Sequence, residues 1–203
     1  MLSNILKKTW DDILYGKLLI IENLSSSFTD VVISGGMIRP FLVASGEISN
    51  SNYIQDDNEV IVAKKILNEN RNLLIPKQLI CAKSLDHEPE LLNSSQIESD
   101  DNIYDIGPNS LSDISNLIIN SNKIIWNGPP GVYEKELFQN GTKTIIKAIV
   151  NSKSKIKVAG GGSTVAAINY FNSSDYFSHI STGGGAFLSM LEGKFLQGIE
   201  VLK

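Results

Sequence analysis

The sequence predicts an α/β domain, a mostly parallel sheet of about six strands with helices on both faces. Five apolar runs and one strand-like segment carry this reading: Val31–Ile33, Leu73–Ala82, Ile103–Ile106, Lys123–Trp126 and Ile156–Ala159, with His179–Ser181. Stretches of helical periodicity separate them, and that alternation favours a buried parallel sheet. Glycine turns follow four of the runs directly, at Ser34–Gly36, Asn127–Gly131, Gly160–Gly162 and Gly183–Gly185. At 203 residues the chain is long enough for one such core, so a single Rossmann-like three-layer domain is expected.

In chain order, residues 2–15 place Leu2, Ile5, Leu6, Ile13 and Leu14 at helical spacing, with Gly16 able to end an amphipathic helix. The following KLLIIENL is apolar over Leu18–Ile21, and its periodicity fits a helix or a strand. Val31–Ile33 with its glycine turn and an apolar helix makes the first βα unit. Residues 56–70 form an amphipathic helix with acids in the first turn and Val60, Ala63 and Leu67 on one face. Leu73–Ala82 reads as one strand interrupted at Pro76, Lys77 and Gln78, and the polar Ser84–Asp101 as a surface excursion. Gly107 and Pro108 then precede a helix with a stripe at Leu111, Ile114 and Ile118, and Thr142–Val150 is helical again. Ser163 or Thr164 is expected to cap a helix running to about Phe171, and Ala186–Glu192 to form a last helix ending at Gly193.

Composition excludes several classes of function. A net charge of −4 and the absence of a Lys/Arg cluster count against nucleic-acid binding. No apolar run approaches the roughly 18 residues of a membrane span, so no membrane association is expected and the reading places the chain in the cytoplasm. The single Cys81, in an apolar run, is expected to be a packed thiol. His87 has no second histidine or cysteine at ligand spacing, and no protein metal ligand is assigned.

The stretch Lys155–Leu188 holds both triple-glycine turns, each between a strand and a helix. Bare backbone before a helix start lets an anion approach unpaired N–H groups at the positive end of the dipole. Two such turns suggest one polyphosphate site. Neither fits the phosphate loop ending in Gly-Lys-Ser/Thr or the G-x-G-x-x-G fingerprint, which weighs against an unrelated dinucleotide-binding domain.

The segments WNGPPGVYE (126–134), FQNGT (138–142), VAGGGST and SHISTGGGAFLSMLEGKFLQGIEVL together resemble the carboxyl-terminal half of phosphoglycerate kinase. The resemblance reaches upstream through DIGPNS, LLIPKQLICA and ISGGM to about residue 17, leaving 1–16 as a non-matching, helical segment before a nucleotide-binding domain at 17–203. It implies a glycolytic kinase that exchanges a phosphoryl group between magnesium ATP and 3-phosphoglycerate. In the family the nucleotide lies on the carboxyl-terminal domain and phosphoglycerate on a basic patch of the amino-terminal one. By the same resemblance Gly35 and Gly36 flank the adenine, and Asn127, Pro129 and Glu134 hold its adenine and ribose side. Gly160, Gly161, Gly162, Ser163 and Thr164 approach the ATP or ADP phosphates. Gly183, Gly184 and Gly185 cradle the group in transit, and Lys17 reaches the phosphates. His179 and Glu192 accompany the motif as structural residues.

Three departures bear on activity. Ser163 stands where the family has an aspartate that holds Mg2+, and a neutral hydroxyl is the poorer ligand, so a weakened metal site is expected. The family's Gly-Gly-Ala-Lys-Val turn before Lys17 is absent, with Ile13 in the place of its lysine. The amino-terminal domain is not represented. The expected function is therefore the nucleotide-binding half of phosphoglycerate kinase, not competent alone and acting with a separate amino-terminal half. The alternative is a non-catalytic remnant or protein-binding module that keeps the fold.

Overall fold

The computed structural model describes residues 20, 21, 23, 24, 28–48, 58–69 and 72–194. Lys17, the helix read over 2–15 and the tail after Lys194 lie outside the described residues.

The described chain forms β1 (Val31–Val32), α1 (Ile38–Ala44), α2 (Asn58–Glu69), β2 (Leu73–Leu74), β3 (Gln78–Ala82), β4 (Glu90–Asn93), β5 (Asn102–Ile106) and α3 (Pro108–Asn120). It continues through β6 (Lys123–Trp126), α4 (Asn140–Asn151), β7 (Ile156–Gly160), α5 (Gly162–Tyr170), β8 (His179–Ser181) and α6 (Gly184–Leu191). Ile20, Ile21, Asn23 and Leu24 are helical, which decides between the two readings of that segment.

The α/β class holds, with parallel ladders β1-β2 and β6-β7-β8 and an antiparallel ladder β4-β3-β5. That third ladder corrects two expectations. Leu73–Ala82 is not one interrupted strand: Val31 and Val32 pair with Leu73 and Leu74, whereas Gln78–Ala82 pairs with β4 and β5. Pro76, which has no N–H, lies at the break. The polar excursion also contains a strand, since Glu90–Asn93 adds to the edge of β3. A mostly solvated edge strand needs little apolar periodicity, and only Leu91 and Leu92 signal it. A reciprocal cap between Asn93 and Gln96 then turns the chain, with Gln96 Oε1 accepting the Asn93 N–H at 2.9 Å.

Alternation along β6 and β7 buries side chains on both faces of their sheet. Ile124, Trp126 and Ala159 enter the main core with Leu111, Ile114, Ile118, Ile145 and Ile149 of the packed pair α3 and α4. Ile125 and Val158 face a smaller cluster of Ile20, Phe187 and Leu191. This is the three-layer arrangement, with Pro108 as the first residue of α3, a position whose N–H has no helical partner to lose. The buried face of α2 is Val60, Ala63 and Ile66, and Leu67 is only partly covered.

Candidate functional site

The four glycine turns gather at the carboxyl ends of β1, β6, β7 and β8, where open α/β sheets place their ligands. A side chain built on Gly35 would meet Pro129 O at 3.4 Å, so the turn after β1 touches the turn after β6. Gly35 has φ +60, a left-handed conformation suited to glycine.

Hydrogen bonds tie the turn after β6 to the first triple glycine. Asn127 Nδ2 donates to Gly160 O at 2.9 Å, and the Gly128 N–H donates to Thr164 Oγ1 at 2.7 Å. Trp126 Nε1 donates to Gly128 O at 2.9 Å. Thr164 is fully buried, so its hydroxyl serves this loop. It does not cap the helix, and neither does Ser163. Gly161, at φ +94, is the N-cap residue of α5, and no side chain caps the helix. Because the left-handed glycine turns the chain early, the helix starts before either hydroxyl reaches the cap. Ser163 is exposed in the first turn. The second turn behaves likewise, with Gly183 as N-cap and α6 beginning two residues before the expected Ala186. It ends as read, Gly193 adopting φ +73 after Glu192.

The two triple-glycine turns are in contact. A side chain on Gly184 would lie 3.7 Å from Gly161 Cα and 3.8 Å from Gly162 N. The first backbone bonds inside these helices are Val165 N–H to Gly161 O and Phe187 N–H to Gly183 O. The N–H groups of residues 162–164 and 184–186 thus precede the first intrahelical bonds of two adjacent helix starts. Such a pair of starts presents several donors and two positive dipole ends to one anion.

Glu134 is exposed just beyond the turn after β6, and nothing among the described contacts brings it to the triple glycines. His179 pairs in register with Val158, and Glu192 caps α6 with its carboxylate 2.5 Å from Lys194 Nζ, in keeping with structural roles. His87 is exposed and bonded to Ser84 Oγ at 2.7 Å. Cys81 is fully buried, and burial, reinforced by nearby Asp101, pushes its thiol up to about 12. At pH 8 about one thiol in ten thousand is then ionised, so Ellman's reagent is expected to leave native protein unlabelled and to label it fully after unfolding. Native labelling at the unfolded rate would contradict this.

A buried carboxylate behind the site escaped the sequence reading. Asp105, at the inner end of β5, is 1% exposed and accepts the Gly141 N–H on Oδ2 at 2.6 Å. Among the described residues its Oδ1 has no hydrogen-bond partner. Side chains on Gly131 or Gly141 would run into this carboxyl, at 2.4 and 2.0 Å from Oδ1. Burial raises its pKa to about 6 against the lowering effect of the Gly141 and Ile106 N–H groups. The Gly131 N–H also reaches the buried Thr142 Oγ1 at 3.4 Å. The signal was present in NIYDI, where one acid interrupts an apolar strand.

The donor set does not suit a magnesium ion held by protein ligands. Ser163 offers only a neutral hydroxyl, and no cluster of three His, Cys, Asp or Glu side chains stands among the described residues. No step is assigned to a protein-held metal. No described helix is long and apolar enough to cross a membrane.

The sequence model of the family Phosphoglycerate kinase matches residues 14–194. A curated phosphoglycerate kinase from Vibrio campbellii is 40% identical over 190 residues, covering 92% of this chain and 48% of that protein. Among solved structures, phosphoglycerate kinase from Coxiella burnetii aligns with TM-score 0.81 at 34% identity, over 92% of this chain and 49% of its own. The enzyme from Pyrococcus horikoshii OT3 aligns with TM-score 0.76 at 26% identity, over 93% and 49%. The chain therefore spans about half the length of the relatives it matches.

Proposed function

Because this chain belongs to the phosphoglycerate kinase family, we propose that it is the nucleotide-binding half of such an enzyme. The full reaction would move the γ-phosphoryl group of ATP to the carboxylate of 3-phosphoglycerate, releasing ADP. The observation that carries the proposal is the contact between the two triple-glycine turns, which brings two helix starts side by side.

In this reading residues 17–203 form the nucleotide-binding unit. Gly35 and Gly36 flank the adenine, while Asn127, Pro129 and Glu134 hold the nucleoside. Gly160–Gly162, Ser163 and Thr164 meet the bound phosphates. Gly183–Gly185 receive the group in transit, whose charge is spread over its equatorial oxygens and is stabilised by positioned dipoles and cations. Lys17 would supply one such cation. The Asn127–Gly160 and Gly128–Thr164 bonds hold the nucleoside and phosphate turns in fixed relation before ligand arrives, which reduces the ordering cost of binding. The phosphoglycerate site lies in the half this chain does not span, so activity requires that half. A cytoplasmic setting agrees with a buried, unpaired Cys81 thiol.

Calorimetry with ADP and ATP, with and without Mg2+, tests this. Binding is expected, with a stabilisation of about 2.7 kcal/mol at a hundredfold excess over Kd. Ser163→Asp is expected to strengthen the magnesium-dependent part on the order of tenfold by restoring a carboxylate. Absence of binding heat and of any melting shift would defeat the nucleotide reading. It would favour a second one, suggested by Ser163, in which the fold survives as a non-catalytic binding module.

A further inference from the structure

The turn after β6 is held at both of its ends. At the front, Asn127 Nδ2 and the Gly128 N–H bond to the first triple glycine and its helix, and Trp126 Nε1 bonds to Gly128 O. At the back, the Val132 N–H donates to Tyr104 O at 3.0 Å, and the buried Gly131 lies against the carboxyl of the next residue on β5, Asp105. The same carboxyl accepts the Gly141 N–H of α4 on Oδ2 at 2.6 Å. Between front and back stand Pro129 and Pro130, whose rings fix φ, so a displacement of Gly131 passes on to Gly128 and Asn127 instead of being absorbed within the turn.

Two oxygens converge on Gly131. A methyl built there would meet Asp105 Oδ1 and Phe138 O at 2.4 Å each, and Phe138 is fully buried with its ring against Tyr104. An ionised carboxylate sets charge beside that carbonyl, whereas a carboxylic acid is uncharged and brings an O–H donor. The Gly141 N–H, at the positive end of α4, favours the anion, but burial outweighs it and raises the pKa to about 6. Among the described residues no charged side chain offsets this. Glu134, Lys135, Glu136, Lys143 and Lys147, on the loop and α4, are exposed, and Asp101 near the start of β5 is paired with Lys83. Burial keeps the Cys81 thiol of β3 and the Tyr133 hydroxyl neutral, and Arg39 donates to Asp101 O.

We propose that Asp105 is the positioning residue of this turn: with its proton in place the carboxyl seats Gly131, and through the proline pair it sets where Asn127 and Pro129 stand. Without the proton, Oδ1 is a buried charge facing a carbonyl, and the Gly131 backbone has to shift to relieve it. The consequence for nucleotide rests on the proposed function. On that reading the seated turn binds nucleotide more tightly, so affinity falls as pH rises through about 6, and binding in return favours the protonated acid. Asparagine supplies an N–H donor in place of the O–H and does not titrate, so Asp105→Asn holds the turn seated at every pH.

Calorimetry with ADP, without Mg2+, on the full chain and on Asp105→Asn from pH 5.5 to 8 reads the coupling. Titration of the ADP phosphate cancels in the ratio of the two affinities. That ratio is expected to be near one at pH 5.5 and to favour the variant by about fivefold or more at pH 8, the lower end of ordinary coupling between sites. A ratio that stays constant across the range overturns the proposal. A second readout needs no nucleotide. The Trp126 indole N–H bonds within the turn, so its 1H–15N resonance reports the shape of the turn. In the ligand-free chain it is expected to move with a midpoint near pH 6, and to stand still in Asp105→Asn. Should that variant misfold, the double variant His87→Gln, His179→Gln keeps Asp105 and removes both histidines of the chain, the side chains that ordinarily titrate in this range. A Trp126 resonance that is flat with pH in it overturns the proposal. A titrating Trp126 in a chain that binds no ADP sinks the kinase reading and supports the seating of the turn by Asp105.

Discussion

Asp105→Asn is expected to stabilise the protein at pH 7 and to flatten its stability between about pH 4 and pH 7. The folded pKa is raised from an ordinary 3.8 to about 6, chiefly by burial. The native state therefore binds more protons than the unfolded chain across that window, and stability falls as pH rises. The contribution of the neutral carboxyl is fully present below about pH 4 and is lost as pH passes through 6. A shift of about two units corresponds to about 3 kcal/mol, taken as an upper value. In a domain of this size that is a rise in melting temperature of about 6–12 °C at pH 7, and little change at pH 4. The amide keeps an acceptor for the Gly141 N–H. It also places a donor where Oδ1 now stands, and that atom and Phe138 O each lie 2.4 Å from the point a Gly131 side chain would occupy. Melting curves of both proteins from pH 4 to 7 are the measurement. Parallel curves would mean that Asp105 titrates as an ordinary surface acid.

Gly160→Ala is expected to cost about 1–3 kcal/mol, because it overpacks a filled space. The new methyl would sit 2.3–2.6 Å from three atoms of the Phe187 ring, and Phe187 is only 3% exposed within its cluster with Ile20 and Leu191. The ring cannot turn away without opening that cluster. A fall in melting temperature of about 2–12 °C follows. Gly160 ends β7 and Phe187 lies in the first turn of α6, so the same clash pushes the two triple-glycine turns apart. Nucleotide binding should weaken by more than stability alone explains. Phe187→Leu should relieve the clash, making the double variant less destabilised than the sum of the single changes by on the order of 1 kcal/mol. Strict additivity would show that the ring and the methyl do not compete for one space.

Both effects concern contacts between segments distant in the chain, and this marks the limit of sequence reading here. The glycine turns were legible because bare backbone after an apolar run has few local uses. The strands at Lys123–Trp126 and Ile156–Ala159 were legible because short runs rich in apolar residues stand between helical segments and glycine turns, and His179–Ser181 was legible from the glycine turn after it. The edge strand Glu90–Asn93 was not, since a strand with one dry neighbour and a wet face carries a pattern too short to detect. The helix starts were misread by two to three residues, because Gly161 and Gly183 could start a helix earlier than any side chain could cap it.

By itself the sequence determined the α/β class, the family and the positions of the four glycine turns, since each rests on local residue chemistry or on motif strings that survive in order. Only the tertiary structure decided which turns touch, that Thr164 serves the neighbouring loop, and that Asp105 is buried behind Gly131 and Gly141. It alone revealed the cleft whose walls include residues 30–34 and 123–127. Those features are pairings across tens of residues, and no local pattern encodes the distance between two backbones.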